Sequence, residues 1–303
     1  MQLTYYTGNN FGDALNPLIF HHFLPDFFNQ DPSEMFLGIG SILGFLKPDP
    51  VTRKAIVFSS GFAYDDPPEL DGRYDVRCVR GPLTAKALGL DPDLGVADGA
   101  LLTSFLPVFQ KDIPKKYKYC FVPHHTSEGM YDRWDELLEP LGIHYISPAQ
   151  DPVKVINEIR ASEVVLAEAM HASILADTFR VPWIPVKMFL HINHFKWSDW
   201  MASMKMGEYK PYPLKRVYNK EWISWILNDK LRLPQTSVIN QLGTKVYKVY
   251  QKAFMEKALQ KQIRSVAESA PLLSQEAVLQ QKQEQLMQIL EAIGAEYSSP
   301  IQK

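Results

Sequence analysis

The chain has 303 residues, 46% of them hydrophobic and 22% charged, with a net charge of −2, a composition that excludes a disordered, collagen-like or low-complexity protein and leaves room for about two domains of ~150 residues. No charged-then-apolar leader and no apolar run of ~20 residues is visible, which argues against a signal peptide or a spanning helix. The two cysteines, Cys78 and Cys120, lie in apolar, strand-like contexts and fit a reduced compartment, the cytoplasm, better than a disulfide.

Charge is unevenly spread. Residues 205–264 carry 13 Lys and Arg against 4 Asp and Glu, whereas residues 265–303 carry 2 against 5. An acidic globule followed by a basic segment points to an anionic contact, either a membrane surface or a phosphorylated substrate, unless the basic helix is merely solvated.

In chain order, Leu3 to Tyr6 reads as a strand, GNNFGD (Gly8–Asp13) as a Gly/Asn-rich turn, and Leu15 to Phe23 as a helix. Such a turn lets backbone amides approach an anion at a helix start, with phosphate the obvious guest. Asp13 would repel phosphate, so capping the helix and acting in catalysis are both open for it. Met35 to Leu37 is a strand running into GIGSIL, where a dinucleotide fingerprint fails because its third glycine would fall at Leu43. Ala55 to Phe58 is a strand, followed by an acidic loop around Asp65 and Asp66. Asp75 to Val79 is another, leading into Arg80 and a helix with Pro82 in its first turn. Arg80 at a strand end suits bidentate capture of phosphate or carboxylate, or a surface ion pair. Asp98 sits at the next corner, before a helix-prone ALLTSFL.

Lys111 to Lys118 reads as a linker, and a second strand-and-turn series starts at Tyr119 to Val122, ending in His124 and His125. Trp134 to Leu138 and Pro152 to Arg160 read as helices and His144 to Ile146 as a strand. Val164 to Leu166 is a buried strand, Ala172 to Phe179 a helix, and Trp183 to Val186 the next strand, which places His171 at a strand-to-helix turn where open α/β sheets bind ligands. From Gln241 to Arg264 one helix is expected, with Val246, Val249, Tyr250, Ala253 and Phe254 on one face and Lys245, Lys248 and Lys252 beside it. That face either meets an anionic membrane or packs back on the first domain. The fold class is therefore α/β, with two Rossmann-like domains facing across a cleft and C-terminal helices; the boundaries are 1–114, 115–204 and a basic helical extension 205–303.

A Ser60–Asp98–His171 hydrolase has the right order but lacks a G-x-S-x-G elbow. His124, His125, His191 and His194 lack the frame of a metal site, and no metal or other cofactor is expected. Nothing in the pattern points to nucleic acid.

GNNFGD, GIGS, SSGF, VRCVRGPLT, ADGALL, FVPHH and EAMHASILAD followed by VPWIP together resemble the polysaccharide pyruvyl transferase family, over roughly residues 5–205. The similarity is greatest to the ketal pyruvyltransferases of bacterial exopolysaccharide assembly, of the succinoglycan and xanthan type. The resemblance implies a GT-B-like pair of domains, phosphoenolpyruvate as donor, and a saccharide acceptor carried on a membrane lipid, with the enzyme cytoplasmic or peripheral at the inner membrane face. It makes His171 the catalytic acid and Asp13 the base. Donor binding falls to Arg80, Asn9, Asn10 and Gly12, and acceptor binding to Asp98, Trp197 and Asp199. Many relatives carry Arg where this chain has Ala169, so a replacement cation is needed: Lys196 first, His124 second. A nucleotide-sugar glycosyltransferase and a non-catalytic glycan-binding relative are the competing readings.

Overall fold

The computed structural model describes residues 1–63 and 66–298; Asp65 of the acidic loop lies outside them. In the first half, β1 (Gln2–Thr4), β2 (Glu34–Leu37), β3 (Lys54–Ser60) and β4 (Tyr74–Val79) form a parallel sheet in that spatial order. Helix α1 (Leu15–Phe23) links β1 to β2, and α2 (Pro82–Ala87) follows β4. Strand β3 is buried at every position after Lys54, as expected of a parallel strand covered on both faces. Phe20 of α1 packs edge-on against Phe36 and Phe58 of this sheet; burying such a ring contributes about 1.5–3 kcal/mol. Asn16 of α1 fixes the register of helix on sheet, because its amide donates to Asp13 O and Ile39 O while its oxygen accepts from Ile39 N.

The second half supplies β5 (Tyr117–Val122), α3 (His125–Met130), α4 (Trp134–Leu138), β6 (Ile143–Tyr145) and α5 (Pro152–Arg160). It continues with β7 (Ser162–Ala167), α6 (Met170–Thr178), β8 (Trp183–Lys187), α7 (His194–Ser203) and β9 (Tyr212–Pro213). The strands form a second parallel sheet in the order β6-β5-β7-β8-β9. The expected helix over ALLTSFL is a 3-10 segment, Gly99–Phe105, begun by Asp98 accepting from Ala100 N. The expected linker is pinned rather than free, since Lys115 Nζ donates to Arg160 O and Ser162 O. One apolar cluster joins the halves, containing Phe58 and Cys78 from the first and Cys120, Val165 and Trp183 from the second.

Beyond β9 come α8 (Lys220–Leu231), α9 (Val238–Tyr250), a π-helical turn at Gln251–Met255, α10 (Glu256–Ala267) and α11 (Glu276–Ser298). The helix expected from Gln241 to Arg264 is continuous through that turn, but it starts at Val238 and ends at Ala267. Helix α10 covers the second half through Leu259 and Ile263. The helix that packs back on the first half is α11: Leu286, Leu290 and Ile293 join the shared core, Gln283 donates to Leu101 O, and Arg77 pairs with Glu296 at 2.5 Å. Among the described residues no helix is long and apolar enough to cross a membrane.

Candidate active site at the carboxyl ends of both sheets

Parallel strands direct their following loops to one edge, and here the loops after β1, β2, β5 and β7 all line one cavity of about 440 Å³. The size falls in the ~300–1,000 Å³ range of small-molecule sites, and the position is where α/β sheets bind ligands. Asn10, Asp13 and Ser41 enter from the first half, and His124, His125, Ala169, His171 and Lys196 from the second.

His171 lies in the first turn of α6, just after β7. Its ring rests on Gly12: a Cβ there would fall 2.0 Å from His171 Nδ1, so only glycine lets the two chains approach. Its Nε2 stands 3.7 Å from Asp98 Oδ2, and both of these buried atoms lack a hydrogen-bond partner among the described residues. A proton on Nε2 therefore points at a carboxylate. Asp98 is fully buried beside the imidazole and outside the cavity lining, and its other oxygen is engaged at the start of the 3-10 segment.

Asp13 does not cap α1 with its side chain. Its Oδ2 accepts from Asn10 Nδ2 at 2.5 Å, and burial raises its pKa against the opposing charges of His171 and Lys196. A carboxylate with raised pKa is a stronger base. The phosphate cradle expected of GNNFGD does not form. The amides of Asn10, Phe11, Gly12 and Ala14 are taken by Gly8 O, Pro148 O, Asn10 Oδ1 and Asn10 O, and Asn9 is exposed outside the cavity.

Arg80 also differs from expectation. Its side chain is fully buried and ion-paired with Asp199 at 3.1 Å, with its remaining nitrogens donating to Ser41 Oγ and Phe62 O. It reaches the cavity wall only through Ser41. Asp199, assigned to the acceptor from sequence, is equally buried. It holds Arg80 and caps α2 by accepting from Leu83 N, Thr84 N and Thr84 Oγ1. Trp197 is a core residue stacked on Tyr209 at 4.7 Å.

Lys196 behaves differently. It lines the cavity, as Ala169 does, and its ammonium has no hydrogen bond or ion pair among the described residues. Burial, with the nearby Arg80 charge, lowers its pKa to about 8, opposed by Asp13. The cavity wall thus holds an incompletely compensated cation.

His124 is held neutral by burial, aided by the Lys196 charge, which also acts on His125 and His191. Thr126 N donates to His124 Nδ1, so Nε2 carries the proton and His124 offers one neutral N–H. The rings of His124, His125 and His191 touch, whereas exposed His194 turns to Ser198; among the described residues no His/Cys/Asp/Glu group is arranged to hold a metal. Ser60 donates to Leu37 O and Gly38 O, away from any triad.

Two contributors escaped the sequence reading, and a third, His125, was read only as a candidate metal ligand. Ser41 ends GIGS and couples Arg80 to the cavity. His125 adds a second imidazole at the β5 end. Glu168, fully buried after β7, accepts from His124 N, Met188 N and Phe189 N, tying three strand ends together. An acidic residue directly after an apolar strand was its only signal.

Residues 8–187, more than half of the chain, match the polysaccharide pyruvyl transferase family. The succinoglycan biosynthesis protein ExoV of Rhizobium meliloti (strain 1021) is 40% identical over 204 residues, covering 67% of this chain and 63% of that protein. The match therefore spans less than two thirds of that relative's length. No solved structure matches the chain. By the extent of the family match, the chain belongs to the polysaccharide pyruvyl transferase family.

Proposed function

We propose that this chain transfers the pyruvyl group of phosphoenolpyruvate to two hydroxyls of one sugar in an exopolysaccharide repeat unit, closing a cyclic ketal. The observation that carries this reading is the juxtaposition, in one cavity, of a buried cation without a partner among the described residues, Lys196, with Asp13 and with His171, which Asp98 backs. Lys196 binds the donor's phosphate or carboxylate and takes the place of the arginine absent at Ala169. His171 delivers a proton to the donor's methylene carbon, leaving a cation-like carbon that a sugar hydroxyl attacks. Asp13 accepts the first hydroxyl's proton, which returns to His171; attack by the second hydroxyl breaks the carbon–oxygen bond to phosphate, and that hydroxyl's proton leaves on hydrogen phosphate, completing the ketal. In this scheme Asn10 and Gly12 hold Asp13 and His171 in place, and His124 donates a neutral hydrogen bond.

The two sheets act as Rossmann-like halves in a GT-B-like arrangement, divided near residue 115, with the extension from residue 205 wrapping both. ExoV's name attaches it to succinoglycan biosynthesis, which supports a saccharide acceptor here. The acceptor is carried on a membrane lipid and the chain works from the cytoplasmic side. Incubation with labelled phosphoenolpyruvate and a lipid-linked glycan tests the reading. Phosphate release that requires the acceptor, with label in the glycan, is expected. Consumption of a nucleotide sugar instead would turn the assignment to a glycosyltransferase, and no turnover with either donor would favour a glycan-binding relative.

A further inference from the structure

Helices α8 and α9 form a hairpin outside the family-matched residues 8–187, and α9 is built inside out. The side it turns to α8 is polar: Asn240 bonds Ser224 and Leu233 O, Thr244 bonds Asn240, and Gln251 bonds the backbone of Tyr218. The side it turns to solvent is apolar. Val238, Ile239, Leu242, Val246, Val249 and Tyr250 are all more than half exposed, Val238 at 79% and Val249 at 70%. At ~100° per residue they occupy one arc of roughly 120°. Phe254 and Trp225 add exposed aromatic surface at 64% and 48%. In water such a contiguous face marks an interaction site.

Charge identifies the occupant. Lys245, Lys248 and Lys252 run along one border of the arc, and from Val238 to Met255 there is no Asp or Glu. Beside them a groove of about 660 Å³ between α8 and α9 is lined by Trp222, Trp225, Lys220 and Lys245, with Glu221 the one carboxylate in its wall. Indoles and ammonium groups beside an aliphatic face match the boundary between acyl chains and anionic headgroups. A second copy fits less well, since a two-fold pairing of this face would bring lysine rows together with no carboxylate between them.

We infer that the α8–α9 hairpin lies in the surface of an anionic bilayer, with its apolar arc among the acyl chains and its lysines on lipid phosphates. The inference extends the reading of a lipid-linked acceptor. The hairpin is rooted on α3, because Asn219, the N-cap of α8, bonds Met130 O and Gly129 O at its end, and α3 opens with the cavity-lining His125. Seating the hairpin thus places the catalytic cavity one short helix from the lipid surface.

The test is co-sedimentation of the full chain with phosphatidylcholine vesicles, with and without phosphatidylglycerol, at low and high salt. Salt-sensitive binding confined to the phosphatidylglycerol vesicles is expected. Each lysine contributes roughly fivefold to partitioning, so Lys245→Glu, Lys248→Glu and Lys252→Glu together should lower it by on the order of 100-fold or more while phosphate release from a soluble acceptor is unchanged. Val246→Ser with Val249→Ser should weaken the binding that persists at high salt. No vesicle binding at low salt overturns the proposal, as does binding that ignores both lipid charge and these substitutions, or a stable dimer in solution that Val246→Arg dissociates. The assay contains no donor or acceptor, so its failure leaves the pyruvyl-transfer reading standing.

Discussion

Replacing Lys196 with methionine separates the cost of the site from its use. Lys196 is 8% exposed, and burial lowers its pKa from 10.5 to about 8, a difference worth roughly 3 kcal/mol at ~1.36 kcal/mol per unit. The direction follows from proton linkage. Below pH 8 lysine is protonated folded and unfolded, and the whole penalty applies; between about 8 and 10.5 the unfolded chain binds more protons, so this residue's contribution rises with pH. Lys196→Met removes the buried charge, offset by the loss of Asp13's neighbouring cation, so the ligand-free variant should melt at the wild-type temperature or a few degrees higher. Donor binding should move the other way. Losing a hydrogen bond to a charged group costs about 1.5–3 kcal/mol, roughly 10- to 150-fold in affinity. Isothermal titration with phosphoenolpyruvate and differential scanning calorimetry read the two effects. Wild-type donor affinity should fall as pH rises through about 8, and Lys196→Arg should abolish that fall. Unchanged donor affinity in Lys196→Met would remove the residue from the site, and a large drop in melting temperature would show its charge to be compensated without ligand.

In Lys196→Met, adding Ala169→Arg should restore part of the donor affinity, because residue 169 lines the same cavity; titration of the double variant decides. Gly12→Ala should displace the His171 ring and lower kcat on the order of 100-fold, with circular dichroism unchanged. His171→Ala should lose about 100- to 10,000-fold in kcat, and Asp98→Asn should lower kcat while donor KM holds, since it acts through His171. Asp199→Ala leaves Arg80 buried without its counter-ion, which costs about 3–5 kcal/mol and should appear as a fall in melting temperature.

The sheet strands and the position of His171 were legible because parallel strands leave contiguous apolar runs and because a strand-to-helix turn aims its residues at the carboxyl edge. Arg80 was readable as a strand-end cation but not as a buried one. Its partner Asp199 lies 119 residues away, and no local pattern links them. Asp98 was visible at its corner, but its burial beside His171 was not, for the same reason. The phosphate cradle failed on hydrogen-bond accounting, since carbonyls of the loop, the Asn10 side chain and Pro148 O from the second half occupy amides that an anion would need. The α9 pattern was plain, yet only tertiary structure shows that α11 covers the first half and leaves the α9 face in solvent.

In the proposed mechanism the cavity protonates the donor's methylene carbon, with His171 supplying the proton. Running the reaction with phosphoenolpyruvate in deuterium oxide and measuring the mass of the ketal's methyl group tests it most directly. One deuterium per pyruvyl methyl is expected in the wild-type product, with formation of that product lost in His171→Ala. A methyl group free of solvent deuterium, or full labelling and turnover in His171→Ala, would contradict it.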